Sequence, residues 1–292
     1  MIPDAFAHEM IRRSGDAGRD WLRSVPGRVE RLCRQWDAEL TGEPTLYGDV
    51  NLVFPARRAG AGCVIKICWH EHRTSDEAAA LRTWDGRGAV HLLDVGPADN
   101  AVLLERLDAG RSLRDLDLLP AAEIAGGLIR TLTVPAPAGI PRLSAIAAEI
   151  AATVSPRQRA LGDPLPARWI DLTAALATDL GIAAGDDLVH ADLHYGNVLA
   201  GTRLPWSAID PKAVAGDPEH SVPELMWTRI DDAADDAAVG ELLGVLVAAG
   251  KLDAEKARAW TIVRAVDYWL WALGVGFTED PVRCRRLVEA LA

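Results

Sequence analysis

Four cysteines in 292 residues, Cys33, Cys63, Cys68 and Cys284, are too few and too scattered for a disulfide framework, and none stands in a CxxC or zinc-ligand spacing. A chain that is 49% hydrophobic has core enough without cross-links, so all four are expected to be reduced and buried. Long apolar runs are also missing. The longest, 242–249, falls well short of the roughly 18 residues a membrane helix needs, and the N-terminus lacks a basic-then-apolar leader pattern. These absences predict a soluble, cytoplasmic protein with no membrane partner. There is no basic excess: 31 Lys and Arg against 42 Asp and Glu leave a net charge of -11, which argues against nucleic acid and suits a cationic ligand. No internal repeat or low-complexity tract appears. The length exceeds that of an ordinary single domain and predicts two lobes.

The first forty residues space Trp21, Leu22, Val25, Val29, Leu32 and Trp36 as a helical stripe, with Pro26-Gly27 predicted to break it into two helices. From 47 to 69 the texture becomes β-like: Val50, Leu52 and Phe54 alternate, Ala59-Gly60-Ala61-Gly62 turns the chain, and Cys63-Val64-Ile65-Lys66-Ile67 returns. A helix over 75–84 and strands over 90–95 and 101–104 follow, and the lobe boundary is placed after 107. Beyond it, helices are predicted over 121–131, 142–154, 167–180, 239–249, 254–273 and 281–291. Residues 187–210 interrupt them with short β-like pieces, Leu188-Val189 and Ser207-Ala208-Ile209.

Within that interruption lies His190-Ala191-Asp192-Leu193-His194-Tyr195-Gly196-Asn197, the His-x-Asp-x-x-x-x-Asn spacing of a kinase catalytic loop. Phosphoryl transfer asks a protein for a carboxylate facing the acceptor hydroxyl, metal ligands, and a cation on the phosphates. Asp192 fits the first role and Asn197 the second. Asp210, ending a β-like run in Ile209-Asp210-Pro211, supplies a second ligand for Mg²⁺, a hard cation that takes a carboxylate, an amide oxygen, phosphates and water. His190 and His194 as a transition-metal pair find no third His or Cys of matching spacing.

Upstream, Val64-Ile65-Lys66-Ile67 matches the strand lysine that meets the α- and β-phosphates of ATP; an edge-strand lysine that deters sheet pairing is the competing explanation. Glu77 has two readings, ion-pair partner of Lys66 or the closing acid of a Thr74-Ser75-Asp76-Glu77 capping box. Gly48, in Tyr47-Gly48-Asp49-Val50-Asn51, either contacts phosphate or turns the chain, and no full G-x-G-x-x-G is present. By analogy with kinases, adenine is placed at 104–107, beside Glu105 and Leu107.

With these residues assembled, the chain resembles the aminoglycoside phosphotransferases, and more closely their streptomycin 6-phosphotransferase and hydroxyurea phosphotransferase branch. The segments Trp84-Asp85-Gly86-Arg87-Gly88-Ala89-Val90, Leu103-Leu104-Glu105-Arg106-Leu107, the catalytic loop and Ile209-Asp210-Pro211-Lys212 carry the likeness, which spans roughly residues 45 to 230. The resemblance implies an α+β, protein-kinase-like two-lobed fold. Residues 1–107, with their leading helices, form a small β-rich nucleotide-binding lobe, and residues 108–292 a larger, mostly helical lobe for catalysis and acceptor binding. It implies ATP and Mg²⁺ as cofactors, a monomer or weak dimer, and phosphorylation of a hydroxyl on the streptidine ring of streptomycin. Hydroxyurea, another cationic antibiotic or a sugar are alternative acceptors. A catalytically silent pseudokinase is disfavoured because Lys66, Asp192, Asn197 and Asp210 are all intact.

The chain departs from the wider family at Ala191, often Gly, and at Tyr195, often Pro. Lys212 either contacts phosphate or substrate or pairs with a nearby acid; Glu224 is given a structural role. Residues 210–236 hold eight acids against two bases, with Trp227 among them; Asp231-Asp232 and Asp235-Asp236 read as a solvated helix start before a direct acceptor contact. Trp260, Trp269 and Trp271 are expected to pack helices.

Overall fold

The N-terminal apolar stripe folds as one long helical segment, α1 (Asp4–Trp36), whose break falls at Gly15 rather than at Pro26. Gly15 takes φ 57 and ψ −131, a conformation that a Cβ would strain. Pro26 stays inside the helix because Val25 and Val29 on either side are fully buried, and that packing outweighs the hydrogen bond a proline forfeits. This is a computed structural model, which describes residues 2–69 and 74–292. The chain divides into two units, Met1–Leu107 and Asp108–Ala292.

In the first unit, β1 (Ala38–Leu40), β2 (Leu46–Tyr47), β3 (Asn51–Arg58), β4 (Ala61–Cys68), β5 (Leu92–Gly96) and β6 (Ala101–Glu105) form one antiparallel sheet in the order β1-β3-β4-β6-β5, with β2 also on β3. The β3–β4 turn is tighter than its four small residues suggest. Only Ala59 and Gly60 span it, both at positive φ, as a two-residue turn matched to strand twist requires. The period of two then sorts the side chains. Leu52, Phe54, Ala56, Cys63, Ile65 and Ile67 share a face with Phe6, Trp21, Val25, Leu32 and Trp36 of α1 in one buried cluster. Lys66 falls by parity on the opposite face, toward the side covered by α2 (Thr74–Trp84), which packs on β5 and β6.

The second unit begins with β7 (Asp108–Ser112), a strand in a stretch where the sequence predicts none. It continues through α3 (Leu118–Leu132), α4 (Leu143–Ala160) and α5 (Ala167–Ile182). Four three-residue strands follow, β8 (Asp187–Val189), β9 (Val198–Ala200), β10 (Trp206–Ala208) and β11 (Val214–Gly216). The unit closes with α6 (Val222–Trp227), α7 (Asp236–Gly250), α8 (Ala254–Gly274) and α9 (Glu279–Leu291). Helices pack pairwise, α4 on α5, α3 on α7 and α8 on α9. The short strands make two antiparallel pieces, β10-β9-β7 and β11-β8.

Trp260 and Trp269 pack between helices as expected, but Trp271 is 47% exposed, lying flat against Tyr268 with ring centroids 5.3 Å apart. It sits near the end of α8, with Phe277 edge-on to its ring at 5.6 Å. Cys63, Cys68 and Cys284 are buried, whereas Cys33, on the rim of the α1 cluster, is only half-buried; all four are free thiols. Among the described residues, no helix is long and apolar enough to cross a membrane.

Asp217, 3% exposed, accepts hydrogen bonds from Gly185 N (3.0 Å), Lys256 Nζ (2.9 Å) and Trp260 Nε1 (3.2 Å), tying the chain after β11 to α8. His220 lies edge-on to Trp260, 5.0 Å between centroids, and burial lowers its pKa to about 3 from the usual 6.5. A depressed imidazole contributes stability that is present above pH 6.5 and is lost as pH falls toward 3, because only the unfolded chain takes up the proton. His220→Phe is expected to flatten the pH dependence of unfolding free energy by about one proton across that window. Urea titrations at pH 7, 6 and 5 check it; an unchanged slope would mean that the imidazole is charged in the folded state.

Candidate active site

Lys66 occupies the middle of the sheet, opposite Val53 on β3 and Val102 on β6, so the edge-strand explanation does not hold. The side chain is 4% exposed and its ammonium donates to both oxygens of Glu77, at 2.8 and 2.9 Å. Burying an ammonium without a partner is prohibitive, and Glu77, in the first turn of α2, provides the countercharge. The capping alternative for Glu77 is displaced: the start of α2 is held by Asn100, whose Oδ1 accepts from Thr74 Oγ1 at 2.7 Å and from Thr74 N at 3.3 Å. Gly48 donates its N–H to Asn51 (Oδ1 and O, both 3.2 Å), which is the turn-forming role. Glu105, half-buried at the end of β6, accepts from His91 N at 2.8 Å and donates its own N–H to His91 O at 2.9 Å. Leu107, half-buried, closes this unit.

In the second unit, β8 delivers His190 and the chain then turns sharply, with Ala191 at φ 54. The left-handed region explains why glycine suits this position; alanine adopts it at a cost of about 1–2 kcal/mol. The turn brings Asp192 back over a short 3-10 segment, Tyr195–Asn197, capped by His194, whose Nδ1 accepts from Gly196 N at 3.1 Å. Asn197, 8% exposed, donates its amide nitrogen to Asp192 O (2.9 Å) and Oδ2 (3.4 Å). With its nitrogen so engaged, its amide oxygen is the end left for a cation.

Three bonds dock the Asp210 segment on this loop: Ile209 N to Asn197 O at 2.8 Å, Lys212 N to His190 O at 2.9 Å, and the His190 ring Nε2 to Ile209 O at 2.9 Å. The sequence offers His190 as part of the motif and, with His194, as a metal pair lacking a third ligand, but not as a tie between loops. Buried at 1% exposure, its pKa pushed down to about 4 by burial, it is a neutral donor joining the loops that carry Asp192 and Asp210. Asp210 itself takes φ 57. Asn197 and Asp210 thus belong to one hydrogen-bonded assembly and form an oxygen donor set suited to Mg²⁺. Among the described residues no group of three or more His, Cys, Asp or Glu is placed to hold a metal ion.

Lys212 reaches the carboxylate of Asp192, Nζ to Oδ2 3.0 Å. Glu224 stands behind them on α6, 3.6 Å from Arg264; burial, joined by the charge on Asp192, raises its carboxyl to about 7. Tyr195 lies buried under the loop with the Arg229 guanidinium 5.2 Å over its ring. The acid-rich run is largely committed. Asp231 pairs with Arg283 and Asp232 with Arg229, each at 2.6 Å, from a 3-10 turn rather than a helix start. Asp235 does cap α7, accepting from Ala238 N at 2.9 Å. Trp227 is buried, stacked on Tyr268 at 5.2 Å, and borders a cavity of about 390 Å³ with Tyr195, Tyr268, Arg229, Asp280 and Arg283.

The sequence model of the aminoglycoside/hydroxyurea antibiotic resistance kinases matches residues 36–276. A hydroxyurea phosphotransferase of Kitasatospora aureofaciens is 38% identical, over 99% of this chain and 85% of its own. A streptomycin 6-kinase of Streptomyces glaucescens is 36% identical over 99% of this chain and 96% of its own. Among solved structures, aminoglycoside phosphotransferase APH(4)-Ia in ternary complex with ADP and hygromycin B superposes with a TM-score of 0.63 at 17% identity, covering 90% of this chain and 98% of that one. The choline kinase LicA from Streptococcus pneumoniae gives 0.55 at 15% identity, covering 91% and 99%. The fold is therefore protein-kinase-like, a small β-rich unit followed by a larger helical one, and the chain belongs to the aminoglycoside/hydroxyurea antibiotic resistance kinase family.

Proposed function

We propose that this phosphotransferase moves the γ-phosphoryl group of ATP to a ring hydroxyl of streptomycin. The observation that carries the reading is the Asp192–Asn197–Asp210 assembly, hydrogen-bonded into one piece in a chain 34–38% identical over nearly its full length to streptomycin 6-kinases and a hydroxyurea phosphotransferase. Asp192 orients the acceptor hydroxyl and takes its proton. The acceptor oxygen bonds to Pγ as the bond from Pγ to the bridging oxygen breaks, and ADP leaves. Asn197 and Asp210 hold Mg²⁺, which neutralises phosphate charge when bound. Lys66, fixed by Glu77, is assigned to the α- and β-phosphates, and the backbone near Glu105 and Leu107 to adenine. Residues 1–107 on this reading serve the nucleotide and residues 108–292 the acceptor, in a cytoplasmic enzyme supplied by cellular ATP.

Hydroxyurea is the second acceptor, favoured by the 38% identity to a hydroxyurea phosphotransferase. Coupled ADP-release assays with streptomycin, hydroxyurea, hygromycin B and choline separate the possibilities. Streptomycin is expected to give the highest kcat/KM, by about tenfold or more, a preference that about 1.4 kcal/mol of differential binding in the transition state would produce. Turnover with hydroxyurea and none with streptomycin would replace the acceptor while leaving the chemistry in place.

A further inference from the structure

Phosphoryl transfer puts negative charge on the equatorial oxygens of the group in flight. The catalytic loop, His190-Ala191-Asp192-Leu193-His194-Tyr195-Gly196-Asn197, contains no lysine or arginine to meet it. Lys212 comes from outside the loop, two residues past Asp210, and reaches Asp192 at 3.0 Å. Its main chain is anchored to the loop through His190 O, while its side chain, 58% exposed, retains room to move. Three carboxylates act on its charge, those of Asp192, Asp210 and Glu224.

We infer that Lys212 is a catalytic residue: its ammonium holds the Asp192 carboxylate in place before reaction and binds the transferred phosphoryl group during it. The inference rests on the phosphoryl-transfer reading above, but not on the identity of the acceptor. As the acceptor oxygen bonds to Pγ and the bond to the bridging oxygen breaks, the acceptor proton passes to Asp192, and ADP carries away the electron pair. Asp192 loses its negative charge in that step while the phosphoryl oxygens hold theirs. The attraction on Lys212 therefore shifts from carboxylate to phosphoryl without the lysine gaining or losing a proton. A merely superficial ion pair would be nearly silent when removed. Against that explanation, the Asp192 side chain is only 17% exposed.

The test uses the full chain and its Lys212→Met and Lys212→Arg variants, with Mg²⁺-ADP alone and with added aluminium fluoride, which occupies the place of the phosphoryl group without any acceptor. Lys212→Met is expected to bind Mg²⁺-ADP within about threefold of wild type, yet to lose about 100-fold of the tightening that aluminium fluoride confers, the scale set by removal of one transition-state donor. Lys212→Arg, keeping the charge, should recover part of that loss and serves as the folded control if the methionine variant melts early. Undiminished tightening in Lys212→Met, or no tightening in wild type, overturns the inference. Failure of streptomycin and hydroxyurea alike as acceptors would instead strike at the proposed acceptors and leave this result standing.

Discussion

Asp192→Asn is expected to lower kcat by about 10²–10⁴, the usual contribution of a positioned general base, while leaving ATP affinity within about threefold. Asparagine keeps the shape of the side chain and can still accept from the Asn197 amide, so the loop should stay folded. What it removes is the proton acceptor and the charge that Lys212 pairs with. Steady-state rates with Mg²⁺-ATP, together with calorimetric ATP binding, separate the two effects. A variant with kcat within about twofold of wild type would show that Asp192 does not handle the acceptor proton.

Glu77→Ala is expected to destabilise the first unit by about 3–5 kcal/mol, the cost of removing one member of a buried ion pair. Lys66 is 4% exposed and Glu77 1%, so water cannot readily replace the lost carboxylate. The double replacement Lys66→Met with Glu77→Met should restore most of the stability, because the pair's mutual attraction largely offsets its own desolvation. Activity should not return with it, since the cation proposed for the phosphates is gone. Denaturation followed by tryptophan fluorescence, with Trp21, Trp36, Trp69 and Trp84 reporting on this unit, measures both variants. Equal stability of Glu77→Ala and wild type would mean that the ammonium finds another partner.

The readable parts of this sequence were those whose meaning is local. The spacing from His190 to Asn197 fixes a turn, a 3-10 cap and two side chains within one short segment, and the apolar periods of α3 to α5 and α7 to α9 place those helices within a few residues of where they lie, except that α4 runs on through Pro156 to Ala160, past its expected end at 154. Elements decided by distant partners were not legible in the same way. Pro26 looked like a break because helix propensity knows nothing of the sheet that buries Val25 and Val29, whereas Gly15 carried the real break. The strands β9 and β11 are too short to show a period of two, and β7 is exposed along almost its whole length; β7 and β11 exist because each finds a partner far along the chain.

Glu77 satisfied two local rules at once, and the position of Lys66 on the central strand, with Asn100 holding the start of α2, decides between them. Asp231 and Asp232 are solvated as their charge suggested, 58% and 46% exposed; what the sequence did not show is that Arg283, from α9, reaches Asp231. Of the candidate site, Asp192, Asn197 and Asp210 were legible as types in order; the role of His190 as a tie between their loops was not, since it depends on bonds to Ile209 and Lys212 about twenty residues along the chain.

The most direct test of the account is the product itself. Wild-type protein and Asp192→Asn are incubated with Mg²⁺-ATP and streptomycin, and the antibiotic is followed by mass spectrometry with ³¹P NMR. The account predicts a gain of one phosphate group on streptomycin, a phosphomonoester resonance that grows as ATP is converted to ADP, and near absence of both with the variant. Streptomycin recovered unchanged from the wild-type reaction would contradict the assigned acceptor, and equal product from both proteins would contradict the assigned chemistry.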